Sequence, residues 1–161
     1  MLDRIFTIFL ALISFALVYL TGYGETFDFD SADLRIVNVD GHSHRFALEV
    51  AVSRKQRARG LMFRQYLSEG RGMIFILPKP RIAKMWMKDT PLWLDMLFVD
   101  DRGVVQEVKP YRSPNSEAII SSSEKVRYIV ELKGGASATF GIISGSKIEL
   151  PQAIDSGINE N

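Results

Sequence analysis

The stretch that most constrains the fold is LWLDMLFV, residues 92–99, because it is apolar on both faces of a strand except at one carboxylate. Successive side chains of a strand point to opposite faces, so a strand of this composition must be covered on both sides. The exception, Asp95, shares a face with Trp93 and Leu97. Burying an unpaired carboxylate there is costly, so a cation or a set of amide donors must meet it. We predict that Lys88 or a basic side chain of the segment from Arg57 to Arg64 pairs with Asp95.

Short strand signals recur along the chain between residues 34 and 150. Two β-rich pairs, LRIVNV with HRFALEVAV and LWLDMLFV with VVQEVK, flank turns that contain Asp and Gly and therefore predict hairpins. The segments GMIFIL, AKMWM, VRYIVEL and SGSKIEL predict further strands. Ser53 can cap a short helix that Gly60 ends, and KGGASATFGI predicts a second helical turn. Because strands and helices do not alternate, we predict a mainly β fold, a compact antiparallel β-sandwich or barrel-like domain with two short helices.

An uncharged apolar run of sixteen residues, from Ile5 to Leu20, precedes this domain. The run is shorter than the roughly 20 residues of a relaxed spanning helix and close to the upper length of a signal core, so an export signal and a membrane anchor both stay open. Gly22 and Gly24 have the small size and spacing that favour cleavage after Gly24. Arg4 on the leading side places the rest of the chain outside the cytoplasm in either case.

These signals divide the chain into four parts. We assign residues 1–24 to a signal peptide or membrane anchor, 25–33 to an acidic linker, 34–150 to a single β-rich domain, and 151–161 to a loose tail. The expected location is the periplasm or the outer face of the cytoplasmic membrane. Residues 5–20 would contact the membrane if the signal is uncleaved.

Composition excludes several function classes. Twenty basic and nineteen acidic side chains give a net charge of +1, so nucleic acid is not an expected partner. The chain has no cysteine, which rules out disulfides, thiol catalysis and thiolate metal sites. Neither a phosphate-binding loop nor a Ser-His-Asp arrangement is present. His42 and His44 alternate near a turn, which is more often incidental than metal-binding, so neither a metal nor a cofactor is predicted.

The polar sequence Lys88-Asp89-Thr90 interrupts an apolar segment and precedes Pro91, which is typical of a turn. The same loop presents an ammonium, a carboxylate and a hydroxyl group beside Trp86. Such a rim would hold a polar ligand against an aromatic floor. The residues that we predict to form a ligand-binding or structural cluster, called the predicted cluster below, are Arg57, Arg59, Arg64, Trp86, Lys88, Asp89, Thr90, Asp95 and Glu131.

Three functions are compatible with these residues. The one we favour is a noncatalytic exported module whose polar rim binds a small ligand or another envelope protein, and in which replacing Asp95 by Asn lowers stability and binding together. The second is a hydrolase-like enzyme, which requires the carboxyl groups of Asp95 and Glu131 to lie close together in an open cleft. The third is a Cu(I) site, which requires at least three exposed sulfurs among Met62, Met73, Met85, Met87 and Met96.

Four motifs occur in the order RARGLMFRQYL, GMIFIL, MWMKDTPLWLDMLFVDDRG and YIVELKGGASATFGIISGSKI. From Phe46 to Leu150 this order resembles the domain of unknown function 192 family of small, mostly exported prokaryotic domains. The resemblance implies a small β-rich fold with short helices, and it implies no established activity. Asp89, Trp93 and Ser146 depart from the family pattern, which has Asn, Pro and Asp there. The positions that the resemblance carries over are Arg57, Arg59, Gly60, Leu61, Met62, Arg64, Gly72, Met73, Trp86, Met87, Lys88, Thr90, Asp95, Glu131 and Gly141.

Overall fold

The computed structural model describes residues 27–150. The predicted signal or anchor, the start of the linker and the predicted tail lie outside the described residues. Within residues 27–150, no helix has the length and apolar character needed to cross a membrane.

Seven strands and two short helices follow one another along the described chain. They are β1 (Asp30–Val37), β2 (Ser43–Ala51), α1 (Arg54–Arg59), β3 (Arg71–Met85), β4 (Leu94–Val99), β5 (Val105–Arg112), β6 (Ile120–Lys133), α2 (Ala136–Thr139) and β7 (Lys147–Glu149). The strands form one sheet in the order β5-β4-β6-β3-β2-β1-β7. The prediction of a mainly β fold with two short helices is confirmed.

The predicted hairpins β1–β2 and β4–β5 are both antiparallel pairs. One pair departs from the antiparallel expectation, because β2 runs parallel to β3. Parallel neighbours need a crossover connection rather than a tight turn. Residues 52–70 form this crossover and contain α1, which Ser53 and Gln56 begin with a reciprocal capping box and Gly60 ends. The parallel pairing thus determines where the arginine-bearing helix lies.

The sheet curls until its two edge strands meet at one end. Val104, next to β5, forms a bridge with Lys147 of β7. Two hydrogen bonds continue this seam: the Val105 N–H donates to the Ser146 carbonyl at 2.8 Å, and the Ile148 N–H donates to the Gly103 carbonyl at 2.7 Å. The fold is therefore a curled half-barrel, and the sandwich alternative, which needs two packed sheets, is not what forms.

Buried side chains form two separate layers, one on each face of the sheet. All seven strands contribute to the first, which the curled sheet encloses and which includes Leu34, Leu48 and Val130. The second lies on the outer face of β3, β4 and β6, where it includes Phe75, Met96 and other apolar side chains covered by the crossover. All six residues of β4, Leu94–Val99, are buried, so the prediction of cover on both faces is confirmed for them. Trp93, which precedes the strand, is exposed.

Three element boundaries differ from the sequence prediction. β1 begins at Asp30, so residues 30–33, which we assigned to the linker, pair with β2. β6 begins at Ile120, before the predicted strand VRYIVEL, which starts at Val126. The segments GMIFIL and AKMWM belong to one strand, β3, whose register against β6 shifts between Ile76 and Arg81. Pro78 and Pro80 lack the N–H that a ladder needs, and the strand passes them as a bulge instead of ending there.

Candidate ligand-binding site

A pocket of about 590 Å³ opens on the outer face of the sheet, between α1, the bulged part of β3, and β6. This volume falls in the range of small-molecule sites in proteins. Its apolar wall consists of side chains from the outer layer and the adjoining strand, namely Leu61, Met62, Phe75, Leu77, Pro78, Met85, Trp86 and Ile129. We call it the basic pocket, for the charges described next.

Six basic side chains and one acidic side chain line the basic pocket. The basic residues come from α1 and from the bulge of β3, and they are Arg54, Arg57, Arg59, Lys79, Arg81 and Lys84. Four of the six, Arg54, Lys79, Arg81 and Lys84, make no side-chain hydrogen bond or ion pair with any described residue, and all four are exposed. Unpaired cations gathered around a concave surface create a local positive potential that attracts anions.

The arginines of α1 are held in position. The Arg57 guanidinium donates to the carbonyls of Val52 and Ile76, which fixes it between the crossover and β3. Burial, together with the nearby charge of Arg81, lowers the pKa of Arg57. Arg59 lies over the ring of Phe63 at 4.5 Å from the ring centroid, a cation–π distance.

Glu131 is the acidic residue of the pocket. Its side chain is only 4 % exposed, and its Cα partners on the neighbouring strands are Met73 of β3 and Met96 of β4, both fully buried. Within the described chain it has no hydrogen-bond or ion-pair partner. Desolvation by this apolar setting raises the pKa of the Glu131 carboxyl to about 8. Near neutral pH the site therefore combines a cationic rim with a largely protonated carboxylic acid.

The turn Lys88-Asp89-Thr90 forms as predicted and closes one side of the pocket. The Thr90 N–H donates to the Met87 carbonyl at 3.1 Å, and Asp89 adopts a left-handed φ of 52°. The Asp89 carbonyl accepts a hydrogen bond from the Phe63 N–H at 2.7 Å, which ties this turn to the crossover. Thr90 lines the pocket, whereas Lys88 turns over the Trp86 ring at 5.6 Å from its centroid.

Asp95 does not line the basic pocket. Our prediction that a basic side chain pairs with it is wrong. Its Oδ1 accepts hydrogen bonds from the N–H groups of Tyr111 at 2.9 Å and Gly135 at 3.0 Å. Its Oδ2 accepts from the Ser137 N–H at 2.8 Å and the Ser137 hydroxyl at 2.5 Å. A carboxylate can be buried without a cation when several donors satisfy its lone pairs. Asp95 therefore joins β5 and the start of α2 to β4.

Asp95 and Glu131 point to opposite faces of the sheet. Met96 pairs with Glu131 across the β4–β6 ladder and shares its face. Asp95 precedes Met96 in the strand and so projects from the other face. The sheet separates the two carboxyl groups, and the structure does not assemble the acid–base pair that the hydrolase hypothesis requires.

The methionines do not form an exposed sulfur surface. Met73, Met87 and Met96 are each at most 1 % exposed and pack in the outer layer. Only Met62 and Met85 reach the basic pocket. The Cu(I) hypothesis requires three exposed sulfurs, so the burial contradicts it. Among the described residues, no three His, Asp or Glu side chains are grouped as a metal site would need.

Comparison with known proteins places the chain in a family. Residues 35–150 match the model of the DUF192 family, described as an uncharacterized ACR. The chain belongs to the DUF192 family. No curated protein is similar to it at a significant level.

Two solved structures resemble this DUF192 chain closely. A crystal structure from Sinorhizobium meliloti 1021, of a protein described provisionally as a transcription regulator, has a TM-score of 0.75 and 36% identity and covers 76% of this chain and 95% of its own. A protein of unknown function from Novosphingobium aromaticivorans DSM 12444 has a TM-score of 0.74 and 29% identity and covers 78% of this chain and 89% of its own. The DUF192 resemblance inferred from the motifs is confirmed.

Every member of the predicted cluster that lines the basic pocket lies within one of the motifs that resemble the DUF192 pattern. Five members of that cluster line it: Arg57, Arg59, Trp86, Thr90 and Glu131. Four do not, because Arg64 pairs with Glu49, Lys88 and Asp89 form the adjacent turn, and Asp95 binds α2 on the opposite face. Sequence reasoning missed Arg54, Lys79, Arg81 and Lys84. The alternation of prolines and cations in PKPRIAK was the available signal.

Proposed function

We propose that this DUF192 chain is a noncatalytic, exported module that binds a small anionic ligand in the basic pocket. The observation that carries the proposal is the imbalance of charge in that pocket, where six cations face a single carboxyl group that forms no ion pair with them. Unpaired positive charge beside an apolar wall favours an anion with an apolar part over a neutral or cationic ligand.

The assignment as a binding module, not an enzyme, rests on what the pocket lacks. The hydrolase hypothesis needs a second carboxyl group close to Glu131, and the candidate for it, Asp95, projects from the opposite face. The pocket-lining side chains include neither a histidine nor a serine. The alternative is that another envelope protein, instead of a small anion, binds at the same rim.

The proposed location outside the cytoplasm is supported by the apolar run from Ile5 to Leu20 and by Arg4 before it. A fusion of alkaline phosphatase after residue 150 tests it, because this enzyme is active only when exported. Active fusions of the full chain, and inactive fusions that lack residues 1–26, are the expected result. Equal activity of the two would contradict export.

The description of the Sinorhizobium protein as a regulator does not lead us to propose DNA binding for this chain. The helices in the described residues are six and four residues long, shorter than a helix that reads the major groove. The net charge of +1 also gives no field for a phosphate backbone.

An NMR titration of the domain with benzoate tests the binding function. Benzoate should shift amide signals around the basic pocket, and Arg81→Ala should weaken its binding about fivefold, since a charge-assisted contact is lost. Arg45→Ala is the matched control, because Arg45 is exposed and does not line the pocket. No shift with benzoate, or equal weakening in the two variants, would contradict the proposed function.

A further inference from the structure

Glu131 is a buried carboxyl group that the fold itself does not use. Its side chain makes no hydrogen bond or ion pair with any described residue, although it is 4 % exposed and lines the basic pocket. By contrast, the other buried carboxyl group of the described chain, Asp95, accepts four hydrogen bonds. Among the described residues only Asn38 Oδ1 is sealed from solvent without a hydrogen-bond partner, so the Glu131 carboxyl oxygens reach the pocket, where a ligand can supply the partner that the fold does not.

Building on the proposed function, we infer that the ligand of the basic pocket is an amphipathic organic anion with an uncharged hydrogen-bond acceptor at the end opposite its acidic group. The acidic group would meet the cations of α1 and the β3 bulge. The apolar body would lie along Trp86 and Phe75. The acceptor would take the O–H of protonated Glu131.

The surroundings of Glu131 favour an uncharged acceptor over an ammonium group. The charged side chains that line the pocket beside Glu131 from α1 and β3 are all cationic, namely Arg54, Arg57, Arg59, Lys79, Arg81 and Lys84. Further along the same face, Glu49 of β2 shares Met73 as a strand neighbour with Glu131, but its charge is paired with Arg64. An ammonium group would have to pass this rim and then be desolvated between the methionines of β3 and β4. The same apolar setting keeps the proton on Glu131 at neutral pH, because desolvation raises its pKa to about 8. A protonated carboxyl group donates one hydrogen bond.

Four aromatic probes that share one benzene ring separate the parts of this ligand. Benzoate carries the anion alone, acetophenone the acceptor alone, 4-acetylbenzoate both, and 4-(aminomethyl)benzoate an anion with an ammonium group. Calorimetric or NMR titration of the full domain below pH 8 should rank 4-acetylbenzoate first, about fivefold tighter than benzoate, which is the contribution of one hydrogen bond. Above the pKa of Glu131 this advantage should disappear, because the carboxylate no longer donates.

Two variants of Glu131 provide the decisive comparison. Glu131→Gln keeps a donor, so the advantage of 4-acetylbenzoate over benzoate should persist at every pH. Glu131→Leu removes the donor and should abolish the advantage, while benzoate still binds. If 4-(aminomethyl)benzoate binds tightest and loses its affinity in Glu131→Gln, Glu131 acts as an anion and the inference is overturned. It is equally overturned if the acetyl group brings no gain in the unmodified protein.

The outcome of the benzoate titration separates this inference from the proposed function. Binding of benzoate without a gain from the acetyl group would leave the anion pocket in place and refute only the role of Glu131. Failure of both anions to bind would refute the two together. If 4-acetylbenzoate binds as inferred, vesicles containing anionic lipids, compared with soluble acyl phosphates, distinguish a lipid source of the anion from a free metabolite.

Discussion

Two acids are buried within residues 27–150, Asp95 and Glu131, and they show how the same chemical group serves different purposes in one sheet. Asp95 accepts three backbone N–H groups and one hydroxyl, and it binds β5 and α2 to β4. Glu131 lies one ladder position away on the opposite face and has only apolar strand neighbours. The first carboxylate organises the fold, whereas the second remains available to an occupant of the pocket.

Replacing Asp95 by Asn should destabilise the protein by about 3 kcal/mol, because an amide N–H₂ would face donors that now meet a carboxylate oxygen. Urea denaturation measures this loss. Asp89→Asn is the matched control: it removes the same charge at an exposed turn with left-handed φ, which Asn tolerates, and should change stability by less than about 0.5 kcal/mol. Equal losses in the two variants would show that charge, not the donor set around Asp95, is responsible.

Glu131 should make the stability of the domain depend on pH. Its folded-state pKa of about 8 exceeds the ordinary value of 4.5, so between these pH values the folded protein holds a proton that the unfolded chain has released. The free energy of unfolding should therefore fall as pH rises through this window, by about 1.4 kcal/mol per pH unit, and level off above 8. Denaturation of the wild type and Glu131→Gln across this range measures the difference, and parallel curves would contradict the assignment.

At the element scale, α1 depends on its cap. With six residues it is too short to be stable by propensity alone, and the Ser53 hydroxyl accepts a hydrogen bond from the Gln56 N–H at 3.1 Å. Ser53→Ala should cost about 1 kcal/mol and weaken anion binding, because α1 carries arginines of the pocket. Ser53→Asp keeps an acceptor at the cap and should retain both properties. Thermal unfolding and the benzoate titration measure the two effects, and a neutral Ser53→Ala would show that packing alone holds α1.

The elements also show which features the sequence predicts and which it does not. Hairpins and caps depend on neighbouring residues, so Ser53, Gly60 and the turn before β5 could be identified from the chain alone. The bulge of β3 could not, because Pro78 and Pro80 are compatible both with the end of a strand and with a bulge inside one. Only pairing with β6, a partner distant in sequence, decides between them. The cations that the bulge exposes were missed for the same reason.

At the scale of the whole molecule, the composition of β4 correctly predicted a strand covered on both faces, but not what covers it. The inner cover comes from the curl of a single sheet and the outer cover from the crossover between β2 and β3. Both are long-range arrangements that periodicity in one strand cannot specify. The partner of Asp95 was misjudged for this reason: a charge pattern suggests side-chain cations, whereas the backbone N–H groups that satisfy it have no sequence signature.

The half-barrel closes where the backbone of Gly103 lies against the backbone of Ile148 in β7. Gly103 has a φ of 81°, and a Cβ there would lie 2.5 Å from the Ile148 carbonyl oxygen in β7. Gly103→Ala should therefore force β7 away from β5 and cost about 3 kcal/mol or more, through backbone strain combined with the steric clash. Gly41→Ala is the control, because Gly41 has a similar φ of 89° but nothing within 4 Å of its Cβ. Gly41→Ala should lower the free energy of unfolding by about 1 kcal/mol, because only the backbone strain contributes.

Amide hydrogen exchange distinguishes an open seam from general loss of stability. In Gly103→Ala the amides of Val105 and Ile148, which donate across the seam, should exchange much faster relative to amides of the β3–β6 ladder. In Gly41→Ala the two groups should keep their relative protection, because a Cβ at Gly41 would have nothing within 4 Å and so would not displace the seam. The basic pocket lies on the outer face, away from β7, so benzoate should bind Gly103→Ala with unchanged affinity under conditions where the variant is folded. Faster exchange throughout the sheet, with no preference for the seam, would show that closure is not a separate element of the fold.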